Sequence, residues 1–441
     1  MRSMFSGVSG LRTHQTKMDV IGNNISNVNT VAFKSGRVTF EQVFSQTLKG
    51  AGAPDAATGR GGTNPMQVGL GIGVSSVDTI MTNGSVQRTD NPTDLAIEGE
   101  GFFIVKGGHA DTYRFTRAGN FGIDKTGNLV TGGGMNVYGW QAYTRETDGT
   151  YTFDTEEEIE PINLYVDDTN KNKRMIAAKA TTSAVLSGNL DASYASLGSG
   201  ASAGNVQFSV PMTVYDSLGN SYTVNVDMWK IEAGSGGSLW NWAIDTGTGF
   251  SASSASGSFE FDTQGRIIDS AASGASLTPQ ISIIPQEEVG TEPIDVQLDF
   301  SKLTMYSADS SAKPTSIDGY STGSLVSFSI GSDGIITGIY SNGQQQPLGL
   351  IALASFENPA GLEKSGNNLY TPTTNSGDFK KGVKAGSEGV GTLNPGTLEM
   401  SNVDLSSEFT EMIVTQRGFQ ANSRIITTSD EMLQELVNLK R

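Results

Sequence analysis

The sequence predicts an α+β chain that is mainly β, with one long helix at each terminus. Three observations carry this expectation. Amphipathic helical periodicity is confined to the two ends. The middle is punctuated by Asp-to-Gly turns flanked by strand-type residues. The chain has 441 residues, 55 of them glycine, which is more than one hydrophobic core accommodates and suits short strands joined by many turns.

At the N-terminus, Met4, Val8, Leu11, Met18 and Ile25 recur at alternating spacings of three and four, with Gln15 and Gly22 on the same stripe. The segment from Asn23 to Asn29 holds Asn23, Asn24, Asn27 and Asn29. Asparagine weakens helix interiors and suits helix ends, so propensity predicts that the helix stops near Ile25. From Gly50 to Gly73, small residues with Pro54 and Pro65 read as an irregular connector. The run Gly69 to Gly73 looks superficially like a phosphate cradle, but no Lys-Ser/Thr pair and no clear helix follow it.

The middle repeats one turn at Asp124–Gly127, Asp216–Gly219, Asp262–Gly265 and, shortened, Asp333–Gly334. Strand-type residues flank them, for example Met212 to Tyr215 and Tyr222 to Val226. Asp opens each turn by accepting backbone amides and Gly takes the positive φ, which predicts hairpins. Calcium loops need oxygen ligands at alternate positions, which these turns do not supply. The Gly/Ser stretches 196–204, 233–238 and 252–258 read as exposed loops of an inserted outer domain, and the acidic run 154–160 as a solvated edge.

At the C-terminus, Leu405, Phe409, Met412, Phe419, Ile426, Leu433 and Val437 form a heptad stripe, completed by Gln416, Ser423 and Asp430 and interrupted only by Gly418. Burying seven such side chains contributes on the order of 10–20 kcal/mol. Ordering roughly 35 residues costs about 1–2 kcal/mol each. One pair of terminal helices in water is therefore expected to fray unless neighbours cover it, and the natural neighbours are other copies of the chain.

Composition excludes several functions. With 46 acidic against 29 basic residues, the charge of −17 repels nucleic acid and anionic membranes. Zero cysteines exclude disulfides, thiolate metal sites and thiol crosslinks between subunits. No apolar run approaches the roughly 18–20 residues of a membrane span. Met1 to Leu11 lacks the apolar core of a cleaved secretory signal, so another export route is expected. His14, off the helical stripe, and His109, in a Gly-rich turn, are the only histidines and read as surface residues. Glu98 and Glu100 could pair as glycosidase carboxylates, but the surrounding glycines suggest a tight turn before the strand Phe102 to Val105. No catalytic, cofactor or metal site is expected.

The two chain ends carry specific motifs: Ser9 to Leu11, Asp19 to Thr30 and Ala32 to Lys34 at the N-terminus, and Ser401 to Ser406, Met412 to Asn422 and Leu436 to Leu439 at the C-terminus. Together, in this order, they resemble those of the flagellar rod and hook protein family. Asp94 to Val105, Phe115 to Phe121, Asp124 to Val130, Leu348 to Phe356 and Asn358 to Leu362 are similar to the family's first β-domain. The length, the central insertion, and Gly188 to Asp191, Val214 to Asn220 and Asp318 to Tyr320 favour the hook branch over the rod.

The resemblance implies a nested architecture. Residues 1–30 plus 404–441 would form an inner coiled-coil assembly domain, 31–75 an extended connector, 76–145 plus 319–403 a first β-domain, and 146–318 an inserted outer β-domain. It also implies that the first helix runs on into the asparagine-rich segment. The family motif falls on Asn23, Asn24, Asn27, Asn29, Asn402, Asp404, Gln416, Arg417 and Asn422. The implied function is structural: a bendable tube outside the cell that transmits motor torque to the filament. The implied partners are other copies, the rod, hook-cap and hook-filament junction proteins, and the flagellar type III export apparatus. A distal rod protein, or a secreted β-rich adhesin or glycan-active enzyme, are the alternatives.

Overall fold

Two helices, α1 (Arg2–Ser26) and α2 (Leu405–Asn438), pack together although they lie at opposite ends of the sequence, and β-strands fill the chain between them. The structure is a computed structural model that describes residues 2–54, 59, 61–107, 112–146, 150–166, 172–197, 205–231, 237–245, 250–253, 255–268, 276–285, 292–387 and 389–439. His109 and parts of the Gly/Ser stretches lie outside the described residues.

α1 ends at Ser26, one residue past the point that propensity predicts; it takes in Asn23 and Asn24 and stops before Asn27 and Asn29. The Asn27 N–H bonds back to Asn23 O, and the Asn27 side chain donates to the same carbonyl at 2.9 Å. The turn is then completed by Ala32, held at φ 56°. Local side-chain bonding of this kind competes with helix and stops it.

The chain forms two compact units, one of residues 1–171, 328–337 and 347–441, the other of 172–327 and 338–346. In the first unit, the Gly50–Gly73 stretch, read as an irregular connector, lies within a strand ribbon and contributes Met66–Gly69 and the start of Ile72–Thr79 to it. Gly36–Gln42 pairs antiparallel with Ile72–Thr79, and Ser45–Lys49 with Met66–Gly69, making a two-part ribbon. A register shift interrupts each ladder. The glycines here serve close packing: at Gly71, φ 137°, a Cβ would fall 2.4 Å from Ser9 Oγ on α1.

Beyond the ribbon lies a sheet centred on Phe102–Lys106, which pairs with Arg114–Thr116 on one side and with Asn136–Trp140 and the end of Gln345–Ala354 on the other. Phe102, Ile104, Phe115, Trp140, Leu350 and Ala352 form its buried core. The chain returning to α2 joins the outgoing chain: Thr392–Pro395 pairs with Leu95–Glu98, and Thr397–Glu399 with Val86–Arg88. The first stretch of this unit runs to residue 171. Glu160–Pro161 pairs with Tyr138 and Gly139, and Trp140 Nε1 donates to Glu157 O at 3.1 Å, which holds 150–166 on this sheet.

The second unit is a sandwich of two five-stranded sheets. One runs, in order, Phe250–Ser253, Gln280–Pro285, Ile294–Tyr306, Ser183–Asp191 and Lys313–Ile317. The other runs Phe208–Tyr215, Ser221–Ile231, Ser238–Asp245, Ser256–Phe261 and Ile267–Ile268. Alternate residues point inward, as in Val210/Met212/Val214 and Val296/Leu298/Phe300, all buried in one core. The Asp-Gly turns are hairpin turns: Asp216 Oδ1 accepts Leu218 N and Asn220 N while Gly219 takes φ 93°, and Asp262 does the same beside Gly265 at φ 77°.

Candidate functional site

The helix pair is built from α2's cap inward. Asp404 accepts Ser406 N at 2.9 Å and starts a helix of 34 residues, against which α1 runs antiparallel. The contacts fix that direction: Ser3 Oγ lies 3.4 Å from Ser429 Oγ, Gly10 abuts Asn422, the His14 ring lies over Gly418, and Asn24 reaches Glu408. Lys17 pairs with Glu411 at 3.0 Å on the rim.

The pair does not close through the predicted heptad. On α1 the packed stripe lies one residue N-terminal to it, at Ser3, Gly7, Gly10, His14, Lys17, Ile21 and Asn24. The facing residues on α2 are Glu408, Glu411, Thr415, Gly418, Asn422, Ile426 and Ser429. Of the predicted stripe, Ile426 reaches the interface, its Cγ1 lying 3.2 Å from where a Gly7 Cβ would be. Met4, Leu11, Met18, Ile25, Met412 and Phe419 are half-buried, and Val8, Leu405, Phe409, Leu433 and Val437 are exposed. The displacement has a physical cause. Gly7, Gly10 and Gly418 let the backbones approach where a Cβ would collide, at 2.7 Å for both Gly10 and Gly418. A reading that counts only greasy positions misses them; the spacing Gly7-x-x-Gly10 is the signal that could have found them.

The consequence is an unsatisfied face. Phe409 is 50 % exposed, Ile413 58 %, Val414 63 %, Met432 57 %, Leu436 62 % and Val437 67 %. Single exposed apolar residues are ordinary, but a run along one helix marks an interaction surface.

His14, read as a surface residue, is half-buried. Its ring meets Phe40 edge-on at 5.7 Å, and its Nδ1 is buried without a partner. Burial, with Lys17 beside it, holds this imidazole below its ordinary pKa. Asn24, 2 % exposed, is the pivot of the asparagine motif, whereas Asn29 is exposed. Asn402 Oδ1 accepts Ser35 N at 2.8 Å while its amide donates to Ile80 O at 2.9 Å, tying the segment before α2 to the start of the ribbon. Gln416 and Arg417 are exposed.

Sequence reasoning missed a buried charge cluster at the root of both helices. Lys34 Nζ sits 2.7 Å from Glu399 Oε1, each side chain 1 % exposed, and donates also to Thr82 O at 2.8 Å. Arg117 Nη1 lies 3.5 Å from Glu399 Oε2, its Nη2 donates to Gly99 O at 2.7 Å, and its guanidinium stands 5.3 Å from the Phe102 ring centre. Burial pulls Lys34 below its ordinary pKa, against the raising effect of Glu399. Lys34 and Arg117 lie inside motifs legible in the sequence, but nothing in the pattern pairs them with Glu399.

This is a clamp between the two chain ends, beside a helix face that leaves apolar side chains exposed. Glu98 is exposed, and Gly99 and Gly101 on either side of Glu100 take φ 120° and 122°, the backbone of a tight turn. Among the described residues no group of three or more His, Asp or Glu is placed to hold a metal ion, and no helix is long and apolar enough to cross a membrane.

Comparison with known proteins places four segments. Residues 4–34 match the family described as "Flagella basal body rod protein", 96–140 the "Flagellar hook protein FlgE/F/G D1 domain", 189–320 the "Flagellar basal body protein FlaE D2 domain", and 394–439 the "Flagellar basal body rod FlgEFG protein C-terminal". The chain is 40 % identical over 469 residues to flagellar hook protein FlgE of Borreliella burgdorferi and 38 % over 477 residues to that of Treponema pallidum. It is 32 % identical over 441 residues to flagellar basal-body rod protein FlgG of Bacillus subtilis. In all three, the alignment covers 100 % of both chains.

Proposed function

The chain belongs to the flagellar hook protein family, and from that premise we propose that the exposed apolar face of α2 is the surface through which successive subunits join. The protein is a structural, non-enzymatic subunit of the bacterial flagellar hook, and it polymerises there. The observation that carries the interface is the division of labour on α2. Small and polar residues hold α1, leaving Phe409, Ile413, Val414, Met432, Leu436 and Val437 facing outward. With Val8, Leu405 and Leu433, these residues seat neighbouring copies, and the half-buried Met4, Leu11, Met18, Ile25, Met412, Phe419 and Ile426 line the edges of the same contact.

A surface that is not self-complementary and does not close a ring builds an open helix of subunits. Such a tube outside the cell transmits torque while bending, and its two ends must meet other proteins. The rod at one end, and the cap and then the hook-filament junction at the other, complete this reading. The flagellar type III apparatus is its export route, for which a helix pair joined by small polar residues offers little resistance to unfolding. The four-part division into helices, connector, first β-domain and inserted domain belongs to the same proposal.

The test is Val414→Asp or Leu436→Asp in the full chain, at positions 63 % and 62 % exposed. Circular dichroism of the monomer is expected to be unchanged while sedimentation and negative-stain imaging show no tubes. Tubes formed at the wild-type concentration by both variants would rule out this face.

A further inference from the structure

Resting on the reading of α2 as a joining surface, we propose that a groove along α1 is the surface it joins, so that each copy of the chain receives the distal half of another copy's α2. The groove, about 430 Å³, lies between α1 and the strand Ile72–Thr79 and is lined by Phe5, Val8, Arg12, Thr16, Ile72 and Val74. It stands open to a partner: Phe5 is 72 % exposed and Val8 39 %.

Helical spacing separates this groove from the contact with the chain's own α2. Phe5, Ser9, Arg12 and Thr16 follow one another at intervals of four, three and four, which puts them on one side of α1. Gly7, Gly10 and His14, which pack on α2, lie about half a turn around the helix from them. The chain's own α2 therefore holds the opposite side of α1, and whatever fills the groove comes from another molecule.

The distal half of α2 matches the groove in shape and charge. Ile425, Met432 and Leu436, with Leu439 at the helix cap, stand at intervals of seven, four and three and are all exposed, a stripe of the kind that lies in an apolar groove. At 1.5 Å per residue the stripe is about 21 Å long, and the groove follows α1 for about 16 Å from Phe5 to Thr16. Arg12 lines the groove and no carboxylate does so among the described residues, while α1 has no acidic residue before Asp19. From Ile425 to Leu439 the chain carries Asp430, Glu431 and Glu435 and no basic residue. Opposite charges therefore meet when stripe enters groove, whereas two stripes face to face would set acid against acid. Stripe and groove are different surfaces, so a copy that gives one still offers the other, and the series stays open.

The chain has no cysteine, so introduced cysteines report this contact alone. Full-length Val8→Cys and Met432→Cys proteins, altered near the middle of the groove and of the stripe, are mixed under conditions that form tubes and oxidised. The control pairs Met432→Cys with Leu218→Cys, at a position 62 % exposed in the second unit. Docking raises the local thiol concentration, so the first mixture is expected to give about tenfold more disulfide-linked heterodimer than the control. A yield no greater than the control would overturn the groove; if Leu436→Asp still blocks tubes, the α2 face stands without it. Met432→Cys linking to itself as readily as to Val8→Cys would also overturn the proposal, because α2 would then meet α2.

Discussion

The side-chain amide of Asn24 donates to Glu408 Oε1 at 2.9 Å, joining the last turn of α1 to the first turn of α2. The same amide donates to Gly36 O, and Asn24 Oδ1 accepts Gly36 N, both at 2.9 Å, so one buried residue fixes both helices and the start of the ribbon. Asn24→Ala leaves a backbone donor, a backbone acceptor and a carboxylate to find new partners. A loss of about 1–3 kcal/mol is expected. Hydrogen exchange should locate it in α1 and α2 and leave the sandwich unchanged.

Glu408 gives the pair a pH dependence of known sign. Burial raises its carboxyl pKa, against the lowering effect of the Asn24 bond. A raised carboxyl binds its proton more tightly in the folded chain, so its stabilisation is present in acid and is lost as pH rises through the carboxylate range. Glu408→Gln is expected to remove that component and to be no less stable at pH 7, as measured by urea unfolding across pH 4–8.

The glycines of the helix interface reverse the usual propensity rule. In an exposed helix, Gly→Ala stabilises by about 1 kcal/mol. At Gly10 the new Cβ would lie 2.7 Å from Asn422 Nδ2, so Gly10→Ala is expected to weaken the pair by about 1–3 kcal/mol. Adding Asn422→Ala should recover most of that loss, because it removes the colliding amide. A double-mutant cycle with no coupling would show that the close approach is not what holds the helices.

In the buried cluster the carboxylate matters most. Glu399→Gln leaves Lys34 and Arg117 without their anion, and a loss of about 3–5 kcal/mol is expected for breaking a buried pair. Lys34→Met should cost less, because Glu399 keeps Arg117 and the Gly84 N–H, which it accepts at 3.0 Å. Equal losses in denaturant unfolding would contradict that ranking.

Asp318 ties the first and last strands of the sandwich together. Burial raises its carboxyl, but bonds from Thr182, Lys179 and Ser183 outweigh it and hold the pKa at about 2. A depressed carboxyl stabilises above its unfolded value and loses that stabilisation as pH falls between about 4 and 2. Asp318→Asn is expected to cost about 1–2 kcal/mol at pH 7 and nothing extra at pH 2, followed by tryptophan fluorescence of the unfolding transition.

Much of this was legible because the signals were local. Turn chemistry named the hairpins at Asp216 and Asp262, and asparagine propensity ended α1 near Ile25. The interface was not legible, because Gly7, Gly10 and Gly418 act through the side chains they lack. The ribbon was hidden by its glycines and prolines, which mask the pairing of Gly36–Gln42 with Ile72–Thr79. The Lys34–Glu399 pair depends on a strand pairing between distant segments, which periodicity does not encode.

The strands that lead into and out of the second unit run side by side: Met175 and Ile176 pair with Ser324 and Gly323, Lys179 bridges Tyr320, and Ala184 faces Ile317. This zipped base closes the excursion before the sandwich begins. The entropy of closing a loop depends on the chain between its ends, so the rest of the molecule experiences a short clasp whatever lies beyond it. Insertions or deletions in the sandwich can therefore change its size while the clasp at its base keeps its geometry.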